Sequence, residues 1–151
     1  NYFYENDLFI NEKVKAAIKF GLVPIICVGE KNQSSSQAEA LHQLQVALEH
    51  IPKHRFRDVV VAYEPVWAIG GVKTASIDHI VKGMTKIREI IGRDSPVLYG
   101  GSVNIEQISE LAKRPEIDGV LVGSASIRAS SFIKICIEWA HAKSFKGEVN
   151  I

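Results

Sequence analysis

Apolar residues fall into two alternating patterns along this chain. Four short runs, Val23–Val28, Val59–Tyr63, Val97–Tyr99 and Gly119–Val122, are apolar without alternation. That pattern predicts parallel strands buried on both faces. Each run is followed by apolar positions at helical spacing. Leu41, Leu44, Leu48 and Ile51 share one helical face, and Ile77, Ile80, Met84, Ile87 and Ile91 share another behind a capping Ser76. Asn104 and Gln107 form a capping-box-like pair ahead of Ile108 and Leu111, and Phe132, Ile135 and Trp139 mark a last helix. An opening helix carries Ile10, Val14, Ala17 and Ile18 and stops at Gly21. The order is helix, then strand–helix four times. It predicts a parallel α/β sheet with right-handed crossovers, and fits a doubly wound sheet and a barrel equally.

Composition adds limits. The chain has 151 residues, 46% hydrophobic and 23% charged, which suits a single folded domain. Its net charge is +1 with no basic block, so neither a nucleic acid nor an anionic membrane is an expected partner. No apolar run is long enough for a membrane span, no secretory leader is expected, and a cytoplasmic location is. Cys27 and Cys136 stand far apart with no C-x-x-C spacing, and two buried reduced thiols are the expectation. None of the five histidines (His42, His50, His54, His79, His141) has metal-ligand spacing; all are expected at the surface.

The candidate chemistry centres on Glu64, in the segment AYEPVWAIG at 62–70. A carboxylate here ends a predicted strand, with Val66 and Trp67 beside it to raise its pKa and a loop that could exclude water. Those are requirements of a base that takes a proton from carbon. An isolated glutamate would more often be a surface or ion-paired residue. Lys73-Thr74 near Gly70-Gly71 suggests a nucleotide-binding loop, but Val72 precedes the lysine and the spacing fails.

AYEPVWAIG, KTA at 73–75, YGGSV at 99–103 and DGVLVGSAS at 118–126 together resemble the triosephosphate isomerase family, in its order and at compatible spacing as far as residue 142. The resemblance implies a (β/α)₈ TIM barrel, which needs roughly 250 residues. The chain, which begins at Asn1, then corresponds to the C-terminal half, from the fourth helix onward. Residues 1–151 form one partial barrel domain, with 1–142 matching the family and 143–151 a frayed polar tail.

The resemblance also implies roles. Glu64 is the catalytic base. Pro65, Val66, Trp67, Ala68, Ile69, Gly71, Val72, Lys73, Thr74 and Ala75 form a lid. Backbone N–H groups at Gly70, Ser102, Gly123 and Ser124 hold a substrate phosphate, and Tyr99 hydrogen-bonds the closed lid near Ala75. Cys27 packs beside the base, and Glu30 is structural. The chain departs from the family in having Gly71 for a usual threonine, and Val72 and Ser124 for usual glycines. No cofactor or metal is implied. The implied parent is a homodimer that interconverts dihydroxyacetone phosphate and D-glyceraldehyde 3-phosphate, in glycolysis and gluconeogenesis, through an enediol(ate).

The family's electrophilic histidine falls upstream of Asn1, and its lysine and asparagine belong to the first strand. The chain by itself is therefore expected to be inactive, and its open sheet is expected to self-associate. Two alternatives remain. One is an isomerase of a four-carbon ketose phosphate, for which the altered lid leaves room. The other is a non-catalytic half-barrel for phosphate binding or assembly.

Overall fold

The computed structural model describes residues 3–33, 37–70 and 74–144. The expected polar turn at 34–36 and residues 145–151 of the expected tail lie outside them. The first helix, α1 (Asp7–Lys19), is capped at its start by Asn6, whose side chain accepts the Phe9 N–H. It ends in a Schellman motif. Gly21, at φ +73°, lets its own N–H reach Ile18 O and that of Leu22 reach Ala17 O.

The chain then alternates through β1 (Ile25–Val28), α2 (Ala38–Ala47), β2 (Val60–Tyr63), α3 (Ile77–Ile91), β3 (Val97–Tyr99), α4 (Ile105–Lys113), β4 (Gly119–Val120) and α5 (Ala129–Ser144), with 3₁₀ turns at Lys53–Asp58, Val66–Ala68 and Ser124–Ser126. Caps set the starts as expected. Ser76 Oγ accepts the His79 N–H at 3.3 Å, and Asn104 Oδ1 accepts from Glu106 and Gln107 at 3.1 Å. The capping box is half formed, because Gln107 Oε1 is buried without a partner among the described residues. Helix α5 runs on through Lys143 and Ser144, into the segment expected to fray, and Lys143 Nζ donates to Ile117 O at 2.7 Å.

All four strands are parallel and lie in the order β1-β2-β3-β4. Among the described residues the order shows no reversal of the kind that marks a doubly wound sheet. Three strands, β1, β2 and β4, are shorter than the apolar runs implied, and β3 matches its run. Pro24 and Pro96 can only accept, and their carbonyls take the N–H groups of Val60 and Val61 at 2.9 and 3.0 Å.

The expectation of burial on both faces is corrected. One face, with Ile26, Val28, Val61, Tyr63, Val97 and Tyr99, is buried beneath helices that pack on the strands and on one another. The other carries Ile25, which is 53% exposed, the exposed Cys27, and the half-buried Val60 and Leu98, with Ala62 alone buried among them. Successive residues point to opposite faces, and no described helix covers this second, inner face. The two cysteines are corrected with it. Cys27 lies on the inner face, Cys136 lies on α5, and both are exposed free thiols.

Candidate active site

Glu64 follows β2 directly, and its N–H still bonds to Val28 O at 2.8 Å. Pro65 then turns the chain at φ −55°, and the Val66 N–H donates to Glu30 O at 3.0 Å. Glycines just past the ends of both neighbouring strands make room for this corner. A Cβ on Gly29 would lie 1.8 Å from Glu64 O, and one on Gly100 would lie 2.6 Å from Glu64 Oε1. Close approach is what demands glycine here, and it fixes where the carboxyl can sit.

Glu64 is half-buried, and loss of water raises its pKa above the ordinary carboxylate value. A hydrogen bond from the Cys27 thiol opposes that shift. Cys27 is in turn pushed up to about 11, by desolvation first and then by the charge and hydrogen bond of Glu64. The predicted neighbourhood of base and thiol is present. Although exposed by surface area, the sulfur is a poor nucleophile at neutral pH.

A cleft of about 620 Å³ brings the separate sequence motifs together. Glu64, Gly70, Gly101, Ser102, Gly123 and Ser124 all line it. Gly70 takes φ +62°, open to glycine at little cost. Ser102 Oγ donates to Ala68 O at 2.6 Å, tying the loop after β3 to the turn after Glu64. Ser124 opens the short turn after β4, in which Ser126 and Ile127 donate to Gly123 O and Ser124 O at 2.9 and 3.2 Å. The leading N–H groups of such a turn have no partner within it and suit an anion. Glu64 also lines a smaller cleft of about 210 Å³ with Cys27, Gln43 and Asp7, beside the open edge of β1.

Of the expected lid, Pro65 and Ala68 are buried, Val66 and Ile69 exposed, and Trp67 half-buried. Thr74 is exposed and Ala75 buried, and Gly71, Val72 and Lys73 lie outside the described residues. Tyr99 is fully buried, its hydroxyl has no partner among the described residues, and burial raises it to about 12.

His79 corrects the expectation of surface histidines. Its side chain is 22% exposed, and Nε2 lies 2.7 Å from the carboxyl of the fully buried Glu30. The sequence carries only an indirect signal for it, in its partners. Tyr63 and Trp67 carry polar atoms into an apolar segment and need buried partners, and Glu30 stands two residues beyond the end of the neighbouring strand β1. No group of His, Cys, Asp and Glu among the described residues could hold a metal ion.

The triosephosphate isomerase family model matches residues 1–139. A triosephosphate isomerase from Dehalococcoides mccartyi is 40% identical over 144 residues, covering 89% of this chain and 57% of the relative. Those from Citrifermentans bemidjiense and Chloroflexus aurantiacus are each 42% identical over 146 residues, covering 89% of the chain and 58% of the relative. The chain thus spans less than two thirds of the length of these relatives. By the extent of the match and by the identity, the chain belongs to the triosephosphate isomerase family.

Proposed function

We propose that the chain is the C-terminal half of a (β/α)₈ barrel that interconverts dihydroxyacetone phosphate and D-glyceraldehyde 3-phosphate, with Glu64 as the base. One observation carries this reading. A carboxyl of raised pKa lines the same cleft as the backbone of Gly70, Ser102, Gly123 and Ser124. The glycine- and serine-bearing loops receive the phosphate, and Glu64 moves a proton between the adjacent carbons through an enediol(ate). In triosephosphate isomerases a carboxylate base works beneath a closing loop, so this division of roles is the family's. The reaction is redox-neutral within one substrate, and no cofactor is needed to balance it.

Oxygen gains negative charge as the enediolate forms, and donors aimed at that oxygen supply much of the catalysis. No lysine, arginine or histidine is among the described residues that line the cleft. The first half of the barrel would supply such donors across the smaller cleft at the β1 edge, and would cover the inner sheet face. Tyr99 would bond to the closed lid near Ala75. The complete protein would work as a cytoplasmic homodimer; no helix of the described residues is long and apolar enough to cross a membrane.

Steady-state turnover tests the reading. In the full-length barrel carrying this sequence, Glu64→Gln is expected to lower kcat by about 10³-fold, with triose phosphate preferred over a four-carbon ketose phosphate. Turnover by the 151-residue chain alone is expected to be negligible. Near-normal kcat in the Glu64→Gln enzyme removes Glu64 from the role of base.

A further inference from the structure

Glu30 is the most enclosed carboxyl of the described residues, with no solvent exposure, and three side chains converge on it. Trp67 Nε1 donates to Oε1 at 3.0 Å, Tyr63 Oη donates at 3.1 Å to Oε2, and His79 Nε2 lies 2.7 Å from Oε1. Nε2 also lies 3.0 Å from Tyr63 Oη; an ionised carboxylate can only accept, so the tautomer that serves the shorter contact to Glu30 carries its proton on Nε2. His79 also stands edge-on to Trp67, with centroids 5.4 Å apart at 79°, and its ring stacks over that of Tyr63 at 6.4 Å. Its backbone is held too, because Ser76 Oγ accepts its N–H and Gln37 Nε2 donates to its carbonyl at 3.4 Å.

The position of these partners gives the cluster its meaning. Tyr63 immediately precedes Glu64, and Trp67 follows it by three residues. Between them, the Val66 N–H bonds to the backbone oxygen of Glu30. One buried residue therefore tethers the turn that carries the base on both sides and in the middle. His79 reaches this hub from the first turn of α3, on the helix side of the sheet. Glu64 lies on the inner side, in the cleft.

We propose that His79 is a positioning residue for Glu64: it completes the donor set around Glu30 and so fixes the Tyr63–Trp67 turn that aims the base. The inference rests on Glu64 being the base of the isomerisation proposed above. With the imidazole removed, Oε1 loses its shortest contact and keeps the indole donor at 3.0 Å and the longer Tyr63 hydroxyl contact at 3.2 Å. A buried acceptor left short of donors shifts toward new partners, and Trp67 moves with it. A displacement of about 1 Å at a catalytic group costs a large factor in rate. Binding of the phosphate, made by loops on the other side of the cleft, changes little.

His79→Leu and His79→Gln in the full-length barrel test this. Leucine removes the donor, and glutamine restores an amide donor of similar reach. His79→Leu is expected to lower kcat about tenfold, with KM for dihydroxyacetone phosphate within about twofold of the original. His79→Gln should recover most of the loss. A second readout does not depend on turnover: the indole N–H resonance of Trp67, assigned by comparison with Trp67→Phe. It should move upfield in His79→Leu, as the bond to Glu30 weakens, and stay in place in His79→Gln. An unchanged kcat in His79→Leu, a loss that glutamine fails to restore, or an unmoved indole resonance overturns the proposal. If the unsubstituted barrel shows no turnover, the proposed function falls instead, and the indole resonance alone decides the tether.

Discussion

The inner and outer faces of the sheet use similar residues in different surroundings. Val61 is fully buried under the helices, while Val60, its neighbour in the same strand, stays half-buried on the open face. Ile26 and Ile25 differ in the same way, at 3% and 53% exposed. The outer face is a finished core, closed by α2 and α3 over β1, β2 and β3. The inner face is an unfinished one. The difference sorts function as well as packing. The aiming hardware (Glu30, Tyr63, His79) belongs to the finished side, whereas Glu64, Cys27 and the cleft belong to the open side. Precision is built where packing is complete, and chemistry is exposed where it is not.

Gly100 is where the comparison can be broken most strongly. A Cβ there would lie 2.6 Å from Glu64 Oε1 and 2.7 Å from Glu64 Cγ, so Gly100→Ala must push the carboxyl aside. In the full-length barrel we expect kcat to fall by about a hundredfold, while far-ultraviolet circular dichroism stays unchanged. A normal kcat would mean that the base is not held where the open face places it.

The paired substitutions Val61→Ala and Val60→Ala come next. In this chain, Val61→Ala should cost about 2–3 kcal/mol in urea unfolding. Val60→Ala should cost less than about 1 kcal/mol, since half-exposed methyl groups lose little on removal. In the full-length barrel the two costs should converge, because the proposed first half covers Val60. Equal costs in the isolated chain would show that its inner face is already covered, as self-association would do.

How much of this is legible in the sequence follows the same division. Helices are readable because α3 and α4 present continuous apolar stripes, with Ser76 and Asn104 forming the expected caps. Strand existence is readable from valine-rich runs, but strand burial is not. An apolar run reports what a residue prefers, and Ile25 and Val60 prefer a cover that the described residues do not provide. The exposed state of Cys27 escapes a sequence reading for that reason. The cleft is legible because its members sit in contiguous motifs, AYEPVWAIG, YGGSV and GSAS. His79 is not, because its partners are distant in sequence: Glu30 is 49 positions away, and no local pattern joins them.

Cys27 sharpens the comparison chemically. An exposed thiol is ordinarily reactive, yet this one is pushed up from 9.0 to about 11. At neutral pH its thiolate fraction falls on the order of a hundredfold. Alkylation of Cys27 should therefore be far slower than that of a free model thiol, and should speed up in Glu64→Gln, where the neighbouring charge is gone. Rapid labelling of Cys27 in the original sequence would show that the inner face does not desolvate this corner.

The smallest expected effect is on stability against pH, and it isolates Glu64 itself. Folding raises the pKa of this carboxyl above 4.5 through burial, so the fold favours the neutral acid. Its contribution to stability is complete below the unfolded-state pKa and is lost as pH rises through the folded value. Glutamine is neutral at every pH and escapes that loss. Relative to the original sequence, Glu64→Gln should gain stability as pH rises above the ordinary carboxylate value of 4.5, and the gap should close under acid conditions. Urea midpoints at a series of pH values measure it. A gap of the opposite sign would mean that Glu64 is stabilised as the anion. Its place on the open face would then count as solvated, and the desolvated base on which the proposed chemistry depends would be absent.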